Sequence, residues 1–159
     1  MNHVQYILAD ETHIDLLIEA RIIFFSELNG PQPEDTVAEL RDNIRAYLHV
    51  AIKEKTYVGM LAMCSNEIAA AGGMVIRQRP GSFANPSGRE AYIMSMYTAP
   101  QYRKQGFATH ILNSLVEHAK GMGIVTIELH ATADGEPVYK KYGFKLHTEP
   151  TYRLYINKD

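Results

Sequence analysis

The 159 residues contain a single cysteine, Cys64. An intrachain disulfide is therefore impossible, and thiolate-rich structural zinc sites are excluded. An excess of charge of one sign is also missing. Sixteen Lys and Arg stand against eighteen Asp and Glu, a formal net charge of −2 with the seven His neutral. No global basic field draws such a chain to nucleic acid or to an anionic membrane. Long apolar runs are missing too. The most apolar stretch of the N-terminal half, residues 14–28, is broken by Asp15, Glu19, Arg21 and Glu27. Nothing approaches the roughly 20 apolar residues that span a bilayer. Residues 1–15 hold no basic segment followed by an apolar run, so they do not read as a signal peptide. A reduced, cytoplasmic setting is the expectation, with no membrane and no nucleic-acid partner.

What is present is an ordinary globular balance, 46% hydrophobic and 21% charged, which argues against disorder as a whole-chain description. One domain is expected over residues 1–159, with a radius of gyration of roughly 15 Å. Val4–Leu8 alternates as a short strand, and Asp10 or Thr12 can cap the helix that follows. In that helix Ile14, Leu17, Ile18, Arg21, Ile22 and Phe25 recur at three- and four-residue steps on one face. Asn29-Gly30-Pro31 stops it. A second helix starts near Pro33, with Val37, Leu40, Ile44, Tyr47 and Leu48 on its buried face. Tyr57–Cys64 and Ile68–Ile76 read as a hairpin turning at Ser65-Asn66-Glu67. The Pro- and Gly-containing run Arg77–Arg89 reads as a basic, mobile loop, with gating of an acceptor site left open. Ala91–Thr98 is a strand and Gly106–Lys120 a helix. Ile124–His130 is a strand with Val125, Ile127 and Leu129 sharing one face. A short helix is expected from about Gly135 to Tyr142, then strands at Phe144–His147 and Tyr152–Ile156. Helix-linked and hairpin-linked strands are mixed. The pattern predicts an α+β (mixed α/β) fold: a single mixed, mostly antiparallel twisted sheet of six to seven strands, with about four helices on its faces.

The sharpest chemical feature is Met94–Ile111, MSMYTAPQYRKQGFATHI. A strand ends at Thr98, a Pro-containing turn follows, and a helix opens near Gly106. A helix N-terminus presents unpaired N–H groups and partial positive charge, which makes it an anion site. Gly106 permits close approach of the backbone, Ala108 keeps the first turn slim, and Arg103 and Lys104 add charge. The combination favours a pyrophosphate. It is neither a G-x-x-x-x-G-K-S/T loop nor a G-x-G-x-x-G turn. The seven His show no H-E-x-x-H spacing, so no metal site is expected. Cys64, on a strand, reads as a packed small hydrophobe.

The segment resembles the Q/R-x-x-G-x-G/A signature of the GNAT superfamily of acyl-CoA-dependent N-acyltransferases, with Arg103, Gly106 and Ala108 at its three specified positions. A second stretch downstream, Pro137-Val138-Tyr139-Lys140-Lys141-Tyr142-Gly143-Phe144, is similar to that family's L-Y-x-x-x-G-F ending, with Val138 in place of Leu. The expected element order agrees with the GNAT fold over essentially the whole chain. The resemblance implies an N-acetyltransferase that moves an acetyl group from acetyl-CoA directly to an amine in a ternary complex, with no metal. The acceptor would be a small-molecule or peptide amine. By analogy the enzyme would be a homodimer.

Residue by residue, the resemblance assigns backbone contacts with the pantetheine arm to Met96, Tyr97 and Thr98. The pyrophosphate falls on N–H groups of Lys104, Gln105, Gly106, Phe107, Ala108 and Thr109, with Arg103 alongside. Thr132 stands where relatives often carry an Asn that touches the pantetheine. Tyr139 falls on the position that protonates the departing thiolate. A thiolate of pKa about 8.5 leaves as the amine attacks, and a phenol near 10 can supply its proton. The strand Tyr92–Met96 lacks the acid that many relatives carry there, although Ser95 could hold a water. His130 is the best titratable candidate for the general base, and Glu27 a further one. The alternative reading is an acyl-CoA-binding sensor with little catalysis.

Overall fold

The computed structural model describes residues 3–156. Its strands are β1 (Val4–Leu8), β2 (Tyr57–Cys64), β3 (Glu67–Gln78), β4 (Arg89–Thr98) and β5 (Ile127–Leu129). Its helices are α1 (Ile14–Asn29), α2 (Glu34–Lys53), α3 (Phe107–Gly121) and α4 (Glu136–Tyr142), with 3-10 turns at Glu11–His13 and Pro100–Tyr102. One sheet runs in the order β1-β2-β3-β4-β5. Its first three pairings are antiparallel, and β4 pairs with β5 in parallel through the α3 crossover.

Local chemistry explains the joints. The Asp10 carboxylate accepts from the Thr12 N–H at 2.8 Å, and His13 Nδ1 accepts in turn from the Asp10 N–H. This reciprocal cap starts the turn that feeds α1. Between β2 and β3 only Ser65 and Asn66 lie outside the ladder, and both have positive φ, 51° and 67°. Such a two-residue turn matches the strand twist.

The sheet separates two cores. On one face Met60, Ala62, Cys64, Met74 and Ile93 pack against Ile111, Leu112 and Leu115 of α3. Cys64 is wholly buried there, a packed hydrophobe as expected. On the other face Ile14, Leu17, Ile18, Ile44 and Leu48 of α1 and α2 cover Leu61 and Ala71. Helix α3 sits so close to β3 that a Cβ on Gly72 would lie 2.6 Å from both Ile111 Cγ2 and Met96 Sδ. Gly72→Ala is therefore expected to cost about 1–3 kcal/mol through overpacking. An unchanged melting temperature would show that α3 can retreat at no cost.

The α+β expectation holds, but the sheet has five strands among the described residues rather than six to seven. The segments 144–147 and 152–156 form no strand. Tyr152, Leu154 and Ile156 keep their alternation yet are 91%, 83% and 87% exposed. Alternation marks a segment that can pair, but a strand also needs a partner backbone. The edge strand β5 is only three residues long. It is shorter than expected because its pairing with β4 covers only Ala91–Ile93. Val125 precedes it and is exposed, away from the face expected for it. On α2 the buried positions are Ile44, Leu48 and Ala51, whereas Leu40 and Tyr47 face outward. The basic loop is shorter than expected and is braced. Arg79 N–H bonds to Gly88 O at 2.9 Å, and Asn85 Nδ2 to Arg89 O at 2.9 Å. Arg77 and Arg79 both bind the buried carboxylate of Glu90, at 2.9 and 2.7 Å.

Candidate active site

The site begins where the sheet comes apart. Strand β4 stays paired with β3 as far as Thr98, while β5 leaves it after Ile93. Beyond that point the outer edge of β4, residues 94–98, faces no strand among the described residues. The β3–β4 register also shifts between Ala71 and Gly73, opposite the interval from Met94 to Tyr97. Ser95 absorbs that shift with φ +55°, the left-handed region that a non-glycine residue enters only when held there. The bulge reverses the alternation. Ala91 and Ile93 point into the α3 core, and after the bulge Met96 does so.

The signature turn follows. Lys104 and Gly106 have φ of +59° and +86°, and together they swing the chain from the 3-10 turn into α3. No side chain caps α3. None of the backbone N–H groups of residues 104–109 donates to a protein acceptor among the described residues, whereas His110 N–H is the first to bond back, to Gly106 O at 3.0 Å. Six adjacent orphan donors at a helix's positive end make a strong anion site.

Both features open into one cavity of about 560 Å³. Of the residues expected to hold a cofactor, Met96, Tyr97 and Thr98 line it on the strand side. Arg103, Lys104, Gly106, Phe107, Ala108 and Thr109 line it on the turn side, and Thr132 lines it opposite. Gln105 does not; its side chain donates to Gln101 O at 2.9 Å. Glu27 lines the cavity, but Arg103 holds its carboxylate at 2.8 Å while donating through Nε to Thr98 O at 3.0 Å. This ion pair ties the end of α1 to the signature turn.

Tyr139 stands one layer behind the wall. It is 8% exposed and packs edge-to-face on Phe144, with ring centroids 6.1 Å apart. Its hydroxyl reaches the neighbourhood of Gly135, which lines the cavity, and makes no hydrogen bond among the described residues. Burial pushes the phenol up to about 12. His130 lies on the opposite face of the sheet, outside the cavity lining, with Nδ1 2.6 Å from the Tyr92 hydroxyl. Ser95 accepts a 2.5 Å hydrogen bond from Arg21 Nη1.

Sequence reasoning missed Phe24 and Leu28 of α1 and Asp134 and Gly135 before α4, all of which line the cavity. It also read Arg21 as one more position on a buried face. The signal was there: a guanidinium on an inward stripe needs a partner.

Comparison with known proteins places the chain among acyltransferases. The acetyltransferase (GNAT) family matches residues 15–144. The crystal structure of a predicted acetyltransferase with acetyl-CoA from Clostridium acetobutylicum superposes with a TM-score of 0.82 at 34% identity, over 98% of this chain and 96% of that one. A GCN5-related N-acetyltransferase from Ralstonia eutropha JMP134 gives a TM-score of 0.82 at 22% identity, over 96% and 99% of the two chains. Glucosamine-6-phosphate N-acetyltransferase from Arabidopsis thaliana shares the fold at a TM-score of 0.68 and 16% identity, over 97% and 99%. Among curated proteins no similar sequence is found.

Proposed function

The chain belongs to the GNAT acetyltransferase family, and from that premise we propose that it transfers the acetyl group of acetyl-CoA directly to a primary amine, with both substrates held at once. The observation that carries this reading is the continuity of two stretches of backbone that no strand or helix pairs: the outer edge of β4 and the N–H groups of residues 104–109 face the same cavity. An extended pantetheine arm suits the first, and a pyrophosphate suits the second. Met96, Tyr97 and Thr98 would hold the arm, and Lys104 to Thr109 the phosphates. Arg103, fixed by Glu27, would flank them.

In this reading most of the rate comes from positioning, and from a backbone N–H beside the bulge that polarises the thioester carbonyl. The amine nitrogen attacks that carbonyl and the C–S bond breaks. The thiolate takes its proton from Tyr139, whose phenol burial keeps protonated. The proton lost by the amine reaches His130 by way of solvent, because neither His130 nor the Tyr92 hydroxyl bonded to it lines the cavity. Glu27 serves to anchor Arg103 rather than to move a proton.

The test is a melting temperature with and without acetyl-CoA, with NAD and ATP as controls. Ligand at 100-fold over its Kd adds about 2.7 kcal/mol. For a domain of this size that is a rise of roughly 5–11 °C. A rise with acetyl-CoA alone, reduced in Gly106→Trp, supports the reading. No rise with any acyl-CoA rejects it, and binding without turnover of any amine points to a sensor instead.

A further inference from the structure

Arg41 pairs with Glu19, Arg45 with Asp15, Arg77 and Arg79 with Glu90, and Arg103 with Glu27. Arg21 pairs with no carboxylate among the described residues. It is nevertheless partly buried, and its environment is specific. Nη1 donates to Ser95 Oγ at 2.5 Å and approaches Met94 Sδ at 3.7 Å. The guanidinium lies 4.7 Å over the ring of Phe25. A guanidinium carries five N–H donors and a permanent charge. The groups around it supply one hydroxyl oxygen, one thioether and one aromatic face. Nε and Nη2 donate to no protein acceptor among the described residues.

The neighbouring groups are donors, not acids. Tyr57, Tyr47 and Tyr92 are the titratable side chains that feel the Arg21 charge. Tyr47 and Tyr57 meet edge-to-face with centroids 6.3 Å apart. The Tyr57 hydroxyl occupies the space over Gly73, where an added Cβ would come within 2.1 Å of it. Gly73 is the cross-strand partner of Met94, so this hydroxyl sits beside the bulge. It makes no hydrogen bond to protein among the described residues, and burial pushes it up to about 12, so it remains a donor. The nearby Tyr92 hydroxyl is held by His130.

We propose that Arg21, with Ser95 and the Tyr57 hydroxyl, forms the acceptor subsite for one anionic group, so that the amine acceptor is a small molecule bearing a carboxylate or a phosphate a few bonds from its amine. This rests on the acetyltransferase reading and names the substrate class for that same site. The short separation follows from position. Ser95 adjoins Met96, which lines the acyl-CoA cavity, and consecutive Cα atoms are about 3.8 Å apart. The charge would complete an ion pair that the fold leaves half-made. A neutral or cationic amine would leave the half-buried guanidinium without a counter-charge.

The decisive experiment compares matched amines in a thiol-release assay: amino acids against their carboxamides, and aminoalkyl phosphates against the corresponding amino alcohols. The anionic member of at least one pair is expected to be favoured by about 100-fold or more in kcat/KM, as when a site built for a polar group rejects the analogue without it. The two pairs separate carboxylate from phosphate. In Arg21→Met the preference should collapse through the anionic member, and Arg21→Lys should restore part of it. A purely structural arginine would instead lower both members together. Where no amine in the panel turns over, binding decides. With CoA saturating the phosphate site, acetate, succinate and inorganic phosphate are titrated by calorimetry against wild type and Arg21→Met. Binding of at least one anion that weakens by about 10-fold or more in the variant supports the subsite. Equal binding, or none, overturns it, as does equal preference in the two proteins. Failure of acetyl-CoA to raise the melting temperature would reject the parent reading instead, and Arg21 plays no part in that measurement.

Discussion

In Tyr139→Phe, kcat is expected to fall by about 100- to 1000-fold, within the range of a lost general acid, while the affinity for acetyl-CoA stays within a factor of about two, because the hydroxyl's contact with the sulfur gains its strength only as the C–S bond breaks. The substitution deletes one oxygen and keeps the ring. The edge-to-face contact with Phe144 survives, so a packing role alone would leave turnover intact. The hydroxyl has no protein partner among the described residues, so its removal strands no buried donor or acceptor. With the phenol raised to about 12 by burial, the neutral acid form persists through the whole working range. The wild-type rate should therefore show no falling limb from Tyr139 below about pH 11, one unit under that value. It should instead rise with pH as the amine loses its proton. Single-turnover measurements with bound acetyl-CoA isolate chemistry from product release. An unchanged single-turnover rate would remove Tyr139 from the mechanism.

Thr109→Glu is expected to do two opposite things. Thr109 is exposed, lines the cavity and occupies the third position of α3, with Gly106 as N-cap. A carboxylate there reaches back to the orphan N–H groups and meets the positive end of the helix. Stability should hold or rise by about 0.3–1 kcal/mol. The same carboxylate would occupy the phosphate site and repel a pyrophosphate. Acetyl-CoA affinity should fall by about 100-fold, or about 2.7 kcal/mol. A melt of the free protein and a titration with acetyl-CoA read the two effects separately. A stable variant with unaltered affinity would place the pyrophosphate elsewhere.

Much of this arrangement was legible in the sequence because it depends on local rules. Val4–Leu8 and Tyr57–Cys64 match their observed bounds, since alternation and turn residues set them. The signature turn was readable not from its own residues, which fit an ordinary helix start, but from their spacing to the downstream Tyr139–Phe144 motif and the matching element order. The failures are non-local. The alternation at Tyr152, Leu154 and Ile156 could not reveal that no strand would lie beside it. The shortness of β5 depends on where β4 bends away, and that depends on the Ser95 bulge, which no local pattern announces. Arg21 was misread because helical periodicity counts positions and cannot tell an arginine that caps a core from one aimed at a bulge across the sheet. Glu27 and Arg103 were each noticed, but their pairing joins residues 76 positions apart.

The open edge of β4 and the bare start of α3 have a consequence for how this protein can change. The donors and acceptors they offer belong to the main chain, which every residue except proline supplies in the same form. In the proposed reading, most substitutions at Thr98 would therefore leave the surface for the acyl donor in place. In the proposed acceptor subsite, by contrast, recognition rests on side chains, those of Arg21, Tyr57 and Ser95, where one codon change alters charge or reach. The molecule thus joins a mutationally deaf half to a mutationally responsive one. In that reading, new acceptors can be explored through α1 and β2, which carry Arg21 and Tyr57, while the donor half stands unaltered.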